Sequence, residues 1–271
     1  MLEYENNILF LKHKLSWFSP TAPRFSPFSL EEHRQCFENA KRPLYTRTQF
    51  HTIVIDLKQD MSEILSDFNS TTRAKVRRAG RNGTEIAEIT DFDCFVDFYN
   101  NFASSKSDRS AITRNDFSKF LDNIVIRQAL LNGKTMVIHS YIVDREIGYA
   151  RLLHSASHYR SFEDRSQRNS VSIANCYLHF ADIEYFKEHK FKCYDLGGIP
   201  SPSSFDEELN KIAQFKRGFG GIEVTQSNYT SFNLVAMYHS KLAIGNWLSC
   251  VANVTSQLRL SKSPFRRLKA N

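Results

Sequence analysis

Between Tyr194 and Gly221 the sequence passes from an apolar strand pattern, YDLGGI, through a PSPSS loop and a helical stretch into a second glycine cluster, QFKRGFGG. A further strand pattern, IEVTQ, follows. Glycines directly after a strand and directly after a helix mark chain reversals, because glycine enters positive-φ conformations at little steric cost. The run therefore predicts a strand–loop–helix–turn–strand unit, with Asp195 near the end of its first strand and Lys216 at the end of its helix. Such a unit belongs in a layered α/β fold, where ligands gather outside the carboxyl ends of the strands.

The rest of the chain extends this pattern. TIVIDL (52–57) reads as a strand and is followed by a helix from Met61 to Ala79, with Gly80 and Gly83 as its stop signals. EIAEIT (85–90) is a second strand. Residues 91–104 place Phe95, Phe98, Tyr99 and Phe102 at helical spacing, a stripe that reads as packing. A helix over about 115–132 is expected to end near Gly133. Residues 135–155 read as a β-hairpin turning at Asp144-Arg145-Glu146, and 158–164 as an edge strand. An amphipathic helix over 170–189 precedes the strand 191–199, a helix over 205–215 and the strand 222–226. The start offers a short strand, Ile8–Leu11, and then a connector whose prolines 20, 23 and 27 suggest an extended wrap. The expected fold is thus a mixed α/β sheet flanked by helices. The expected organisation is an N-terminal strand and wrap (1–48), a main domain (49–230) and a C-terminal helix with a basic tail (231–271).

Charge and cysteine usage narrow the function classes. The formal charge is +7, and two segments without acids, 71–84 and 259–271, each hold five basic residues. With those ten of the 36 bases set aside, 26 remain against 29 acids, so the basicity is two patches and not a coat. Concentrated positive charge attracts phosphates on RNA, nucleotides or lipids, while a solvated face or tail is the plain alternative. The five cysteines are scattered with no CxxC spacing, which argues against a zinc ribbon or disulfide framework and fits small buried apolar residues. No apolar run approaches a membrane span, and acids precede the first apolar patch, unlike a secretory signal. A cytoplasmic location is expected, with peripheral contact at the inner membrane face through the basic C-terminal end.

Asp195 either caps a tight turn or borders a site, and Gly197 and Gly198 permit close ligand approach. Lys216 either serves the helix C-terminus through its charge or reaches a developing oxyanion or a phosphate. Acyl transfer needs that stabilisation, because its tetrahedral intermediate carries a negative oxygen.

Taken together, YDLGGI, a loop, a helix ending in FK and an FGG turn resemble the Fem family of aminoacyltransferases. IDL (55–57) followed by TTRAKVRRAGRNG (71–83) is similar to that family's opening segment, and the resemblance spans about 50–230. It implies a GNAT-like fold and transfer of an amino acid from aminoacyl-tRNA onto an amine of a peptidoglycan precursor. It also implies that Lys216 stabilises the transition state while Phe215 lines the site. Arg73 and Arg77, one helical turn apart, become the candidates for acidic ligands. Fem proteins usually hold two GNAT-like units, whereas this length suits one plus the N-terminal segment, which leaves the acceptor open: an amine on a small molecule or an envelope precursor.

The donor has two readings, charged tRNA or acyl-CoA. A CoA-dependent GNAT enzyme offers a glycine-rich turn ahead of a helix to cradle the pyrophosphate. The equivalent stretch here, 165–175, contains no glycine, although Arg165 and Arg168 can contact phosphate. Histidines 139, 154, 158 and 179 are the candidate bases, with no choice among them. No metal motif is present, and no cofactor is expected beyond the donor itself.

Overall fold

The computed structural model describes residues 1–239, apart from 9, 10, 25, 27, 28, 107 and 108. Ten strands form one continuous sheet. In chain order they are β1 (Leu2–Ile8), β2 (Leu11–Trp17), β3 (Ser29–Cys36), β4 (Tyr45–Asp56), β5 (Thr84–Glu88), β6 (Ile124–Leu131), β7 (Lys134–Asp144), β8 (Tyr149–Ser157), β9 (Cys193–Ile199) and β10 (Ile222–Ser231). The helices are α1 (Met61–Asp67), α2 (Ser70–Arg81), α3 (Phe92–Ser104), α4 (Arg114–Phe117), α5 (Arg165–Glu188) and α6 (Glu207–Arg217). A further helical turn covers 232–239. The spatial order is β1-β2-β3-β10-β4-β9-β8-β7-β6-β5, with β2/β3 and β8/β9 parallel and the other pairs antiparallel.

Strand periodicity builds a core on each face. Val125, Tyr141, Leu152 and Leu196 pack against Ile64 of α1, Val76 of α2 and Cys176, Ile183 and Phe186 of α5. The alternate positions Ile126, Ile138 and Ala156 meet Phe92, Phe95 and Tyr99 of α3 and Phe117 of α4. Each fully buried aromatic or branched aliphatic side chain here contributes on the order of 2–3 kcal/mol relative to exposure.

The sheet departs from the sequence expectations at identifiable places. The proposed strand Ile8–Leu11 straddles a reversal, since β1 and β2 form a hairpin paired Ile8↔Leu11. The expected wrap is flanked by sheet: β2 and β3 lie side by side, and Pro20 and Pro23 fall in the connection between them, where a missing N–H costs no ladder bond. The expected boundary at residue 48 runs through the middle of β4. The single helix over 61–79 is two helices, because the Asn69 side chain accepts from Thr72 N (2.8 Å) and starts α2 afresh.

The helix expected over 115–132 is replaced by the short α4 and by β6. Val125 and Ile126 are buried on opposite faces, so the segment lacks the alternation of a half-exposed strand. Asn132 and Gly133, with φ of 53° and 72°, make the two-residue turn into β7. An Asn-Gly pair between apolar runs is a hairpin signal. Residues 158–161 form a 3-10 turn and not an edge strand. The hairpin expected at 135–155 is present as β7–β8. Among the described cysteines, Cys36 and Cys176 are buried as expected, but Cys94 is exposed. The C-terminal helix beyond 239 and the basic tail 259–271 lie outside the described residues.

Candidate active site

The parallel pair β8/β9 is joined only at Tyr149↔Cys193, Ala150↔Tyr194 and Arg151↔Asp195. Beyond that point the two strands part, although both continue, β8 to Ser157 and β9 to Ile199. A wedge between parallel strands exposes backbone groups inside the sheet, and such a gap must be filled by side chains or a ligand. A cavity of about 640 Å³ occupies it, walled by Leu152–Ser155 on one strand and Gly197–Ile199 on the other. Phe215 and Lys216 from the end of α6, and Asn175 and His179 from α5, also line it.

Gly197 makes the parting possible. Its φ is +76°, and a Cβ there would stand 2.7 Å from the Leu152 carbonyl oxygen. No larger residue fits without moving β8. Asp195 shapes the same bend from behind: it is fully buried and accepts hydrogen bonds from Gly197 N (2.7 Å), Gln35 Nε2 and Tyr149 Oη (both 2.9 Å) and the Thr52 hydroxyl. Gly197→Ala is therefore expected to destabilise the protein by about 1–3 kcal/mol, the usual range for forcing a residue into strained backbone. Gly198→Ala, whose Cβ would meet only the Phe50 ring at 3.1–3.2 Å, should cost less. Thermal midpoints of the two variants check this ranking, and equal midpoints would contradict it.

Lys216 Nζ donates to the carbonyls of Gly197 (3.0 Å) and Gly198 (2.8 Å), which leaves one N–H of the ammonium without a protein acceptor among the described residues. Burial pushes its pKa down to about 7; the Asp195 charge opposes that shift, while Arg151 and Arg109 reinforce it. The lysine is thus a cation held by backbone dipoles and close to losing its proton at neutral pH. That is a suitable condition for a group that meets developing negative charge in a dry site. Phe215 packs edge-on against Phe219 and tilts against His179, which closes the floor.

Behind the wall runs a buried polar chain. His179 Nδ1 meets Tyr194 Oη at 2.7 Å, Tyr194 Oη meets Tyr141 Oη at 2.8 Å, and Tyr141 donates to Asp182 Oδ2 at 2.5 Å. The same oxygen accepts from His139 Nδ1 (2.9 Å), whose Nε2 reaches Asn175 Oδ1 (2.9 Å), back at the cavity. Arg127 Nε donates to Asp182 Oδ1 at 2.6 Å. Burial holds His179 well below the usual histidine range, with His139 and Lys216 adding to the effect, so its ring is neutral. His154, also on the wall, is pushed down to about 4 by burial, helped by Arg151 and Arg109.

The residues singled out from sequence divide into two groups. Lys216, Phe215, Gly197 and Gly198 come together on the cavity wall, with Asp195 directly behind them. Arg73, Arg77 and Arg168 do not join them. Arg73 spends its guanidinium on the carbonyls of Ser66 (2.7 Å) and Phe68 at the end of α1. Arg77 is exposed on α2, and Arg168 donates to the Glu163 carbonyl at 3.0 Å. The basic helix turns Lys75 and Arg78, not Arg73 and Arg77, into a separate groove of about 360 Å³ against α5. Among the described residues the cations on the cavity wall are Lys106, Arg109, Arg151, Arg160 and Lys216, and no carboxylate lines it. One signal for the polar chain was present in the sequence: Asn175, His179 and Asp182, spaced i, i+4, i+7, place three polar groups on one stripe of α5. Among the described residues no cluster of His, Cys, Asp or Glu is placed to hold a metal, and no helix is long and apolar enough to cross a membrane.

The fold is shared with solved structures of low sequence identity. FemX superposes with a TM-score of 0.54 at 13% identity, over 70% of this chain and 63% of its own. L-PGS from Bacillus licheniformis gives 0.52 at 11% identity, over 90% and 86%. A DUF2156 C-terminal domain from Agrobacterium fabrum, assigned to a lysylphosphatidylglycerol synthetase, gives 0.51 at 10% identity, over 89% and 84%. The chain thus spans somewhat less than two thirds of the length of FemX. No family model and no curated protein sequence matches it. At these identities the likeness is one of fold, and it agrees with the GNAT-like α/β class expected from the Tyr194–Gly221 run.

Proposed function

We propose that this protein is an acyltransferase that moves an aminoacyl group from aminoacyl-tRNA onto an amine acceptor in the β8/β9 wedge. The observation that carries the proposal is the Lys216 ammonium, fixed by the Gly197 and Gly198 carbonyls and directed into a cavity between parting parallel strands. The amine attacks the donor's carbonyl carbon, the carbonyl oxygen becomes an oxyanion facing Lys216, and collapse breaks the ester C–O bond, the tRNA oxygen leaving as a hydroxyl with the proton that the amine nitrogen gives up as the amide forms. Removing one such donor costs roughly 10²–10³ in rate in other enzymes. The lysylphosphatidylglycerol synthetase domain, among the proteins of like fold, supports an aminoacyl reading by its name.

The second reading, an acyl-CoA-dependent N-acyltransferase acting on an amino sugar or small amine, meets a specific obstacle. Pyrophosphate needs free N–H groups and positive potential at a helix N-terminus. At the start of α5 the Asp164 carboxylate already accepts from Gln167 N (2.9 Å) and places negative charge there. Donor competition separates the readings. Charged tRNA and a set of acyl-CoAs are each supplied with a panel of amines, including an envelope precursor, and product amide is measured. Transfer from charged tRNA is expected. Transfer from acyl-CoA alone would replace the first reading with the second.

A further inference from the structure

Arg151 stands at the root of the wedge, the last residue of β8 still paired with β9 and a member of the cavity wall. Its guanidinium lies over the rings of Trp17 and Phe50, with Cζ 5.4 and 5.3 Å from their centroids. Its Nε is buried without a hydrogen-bond partner, and among the described residues its terminal nitrogens have no protein acceptor either. Arg151 is part-buried and lines the cavity, and an orphaned buried donor on such a side chain calls for an explanation. The nearby carboxylate does not supply one: Asp195 is saturated by Gln35, Thr52, Tyr149 and the Gly197 amide. Elsewhere on the wall Lys106 and Arg160 are paired with Glu208, at 3.2 and 2.6 Å.

Resting on the reading of this cavity as the acyl-transfer site, we propose that Arg151 is the docking point for an oxyanion of the acceptor, a carboxylate or a phosphate borne close to the amine that is acylated. Two aromatic rings against the guanidinium hold it as a preorganised fork, and its free edge matches bidentate recognition of such a group. With Lys106 and Arg160 paired to Glu208, Arg151 and Lys216 stand on the wall as cations that face a negatively charged acceptor. The acceptor class is therefore an amine with an adjacent anionic group, such as an amino acid or a phosphorylated amine.

Calorimetric titration of the full chain with sodium phosphate and with sodium acetate, at constant ionic strength, tests the site without donor or turnover. Saturable binding of at least one anion is expected for the wild type, and the tighter of the two distinguishes phosphate from carboxylate. Arg151→Gln should weaken it at least tenfold. Arg151→Lys, which keeps stem and charge but loses the fork, should weaken it at least threefold and decides the matter if Arg151→Gln fails to fold. An affinity unchanged in both variants, or no saturable binding of either anion, would overturn the proposal. Because the assay contains no chemistry, it is independent of whether Lys216 proves catalytic. In turnover with an anionic amine, Arg151→Lys should raise KM with little change in kcat.

Discussion

Lys216→Met is expected to lower acyl transfer by about 10²–10³ while changing the stability of the folded protein little near neutral pH. The rate effect follows from the geometry, since the substitution removes the one ammonium held at the mouth of the β8/β9 wedge by two backbone carbonyls. The stability effect follows from linkage. A lysine whose pKa falls to about 7 on folding binds its proton less tightly in the folded state than in the unfolded state, where it titrates near 10.5. Its burial therefore costs stability in full below pH 7, and that cost disappears as pH rises toward 10.5. Methionine of similar length avoids the cost but leaves the Gly197 and Gly198 carbonyls without their donor, a loss of about 1–3 kcal/mol if both were dry. The two effects oppose one another, so a thermal midpoint within a few degrees of wild type is expected. A lysine with a mainly structural role would give the reverse, a large fall in midpoint and a modest fall in rate.

Asp182→Ala is expected to produce the largest loss of stability among single substitutions in the polar interior. The carboxylate is fully buried and is the common acceptor for Arg127, His139 and Tyr141. Its removal leaves the Arg127 guanidinium, stacked 4.1 Å from the Tyr185 centroid, without its anion. Breaking one side of a buried ion pair costs about 3–5 kcal/mol. For a chain of this size that is a fall of roughly 10 °C in midpoint. The disturbance reaches the cavity as well, because Tyr141 and Tyr194 connect Asp182 to His179. Asp182→Asn, which keeps the shape and one acceptor, should lose clearly less. Denaturant unfolding checks the pair, and a cost below about 1 kcal/mol for the alanine variant would mean that the chain of hydrogen bonds does not act as a unit.

Where local chemistry dictated local structure, the fold was legible in the sequence. The glycine clusters around YDLGGI and GFGG marked the β9–α6–β10 unit, and the polar tip between TMVIHSYIV and GYARLLH marked the β7–β8 hairpin. It was not legible where tertiary burial overrides pattern. β6 buries Val125 on the face of α5 and Ile126 on the face of α3, and burial on both faces loses the period-2 signature. The N-terminal strands were obscured by prolines that lie between strands and not within them.

The site followed the same rule. Lys216, Phe215, Gly197 and Gly198 belong to one contiguous motif, and the fold brings them to one wall. Charge density in a sequence does not report direction, and the arginines singled out on α2 do not line the cavity. Arg73 turns back to cap α1, whereas Arg151, an isolated cation in an apolar strand, faces the cavity.

The most direct test of the account compares single-turnover acyl transfer by wild type and Lys216→Met from pH 6 to pH 9, with a charged donor and a saturating amine. The ratio of the two rates cancels the ionisation of the acceptor and isolates the lysine. If the ammonium stabilises the oxyanion, the ratio is largest below pH 7 and falls about tenfold per unit above it, as the group with a pKa of about 7 loses its proton. A ratio that rises through pH 7 would make Lys216 a base, and a ratio near one at every pH would remove it from the chemistry.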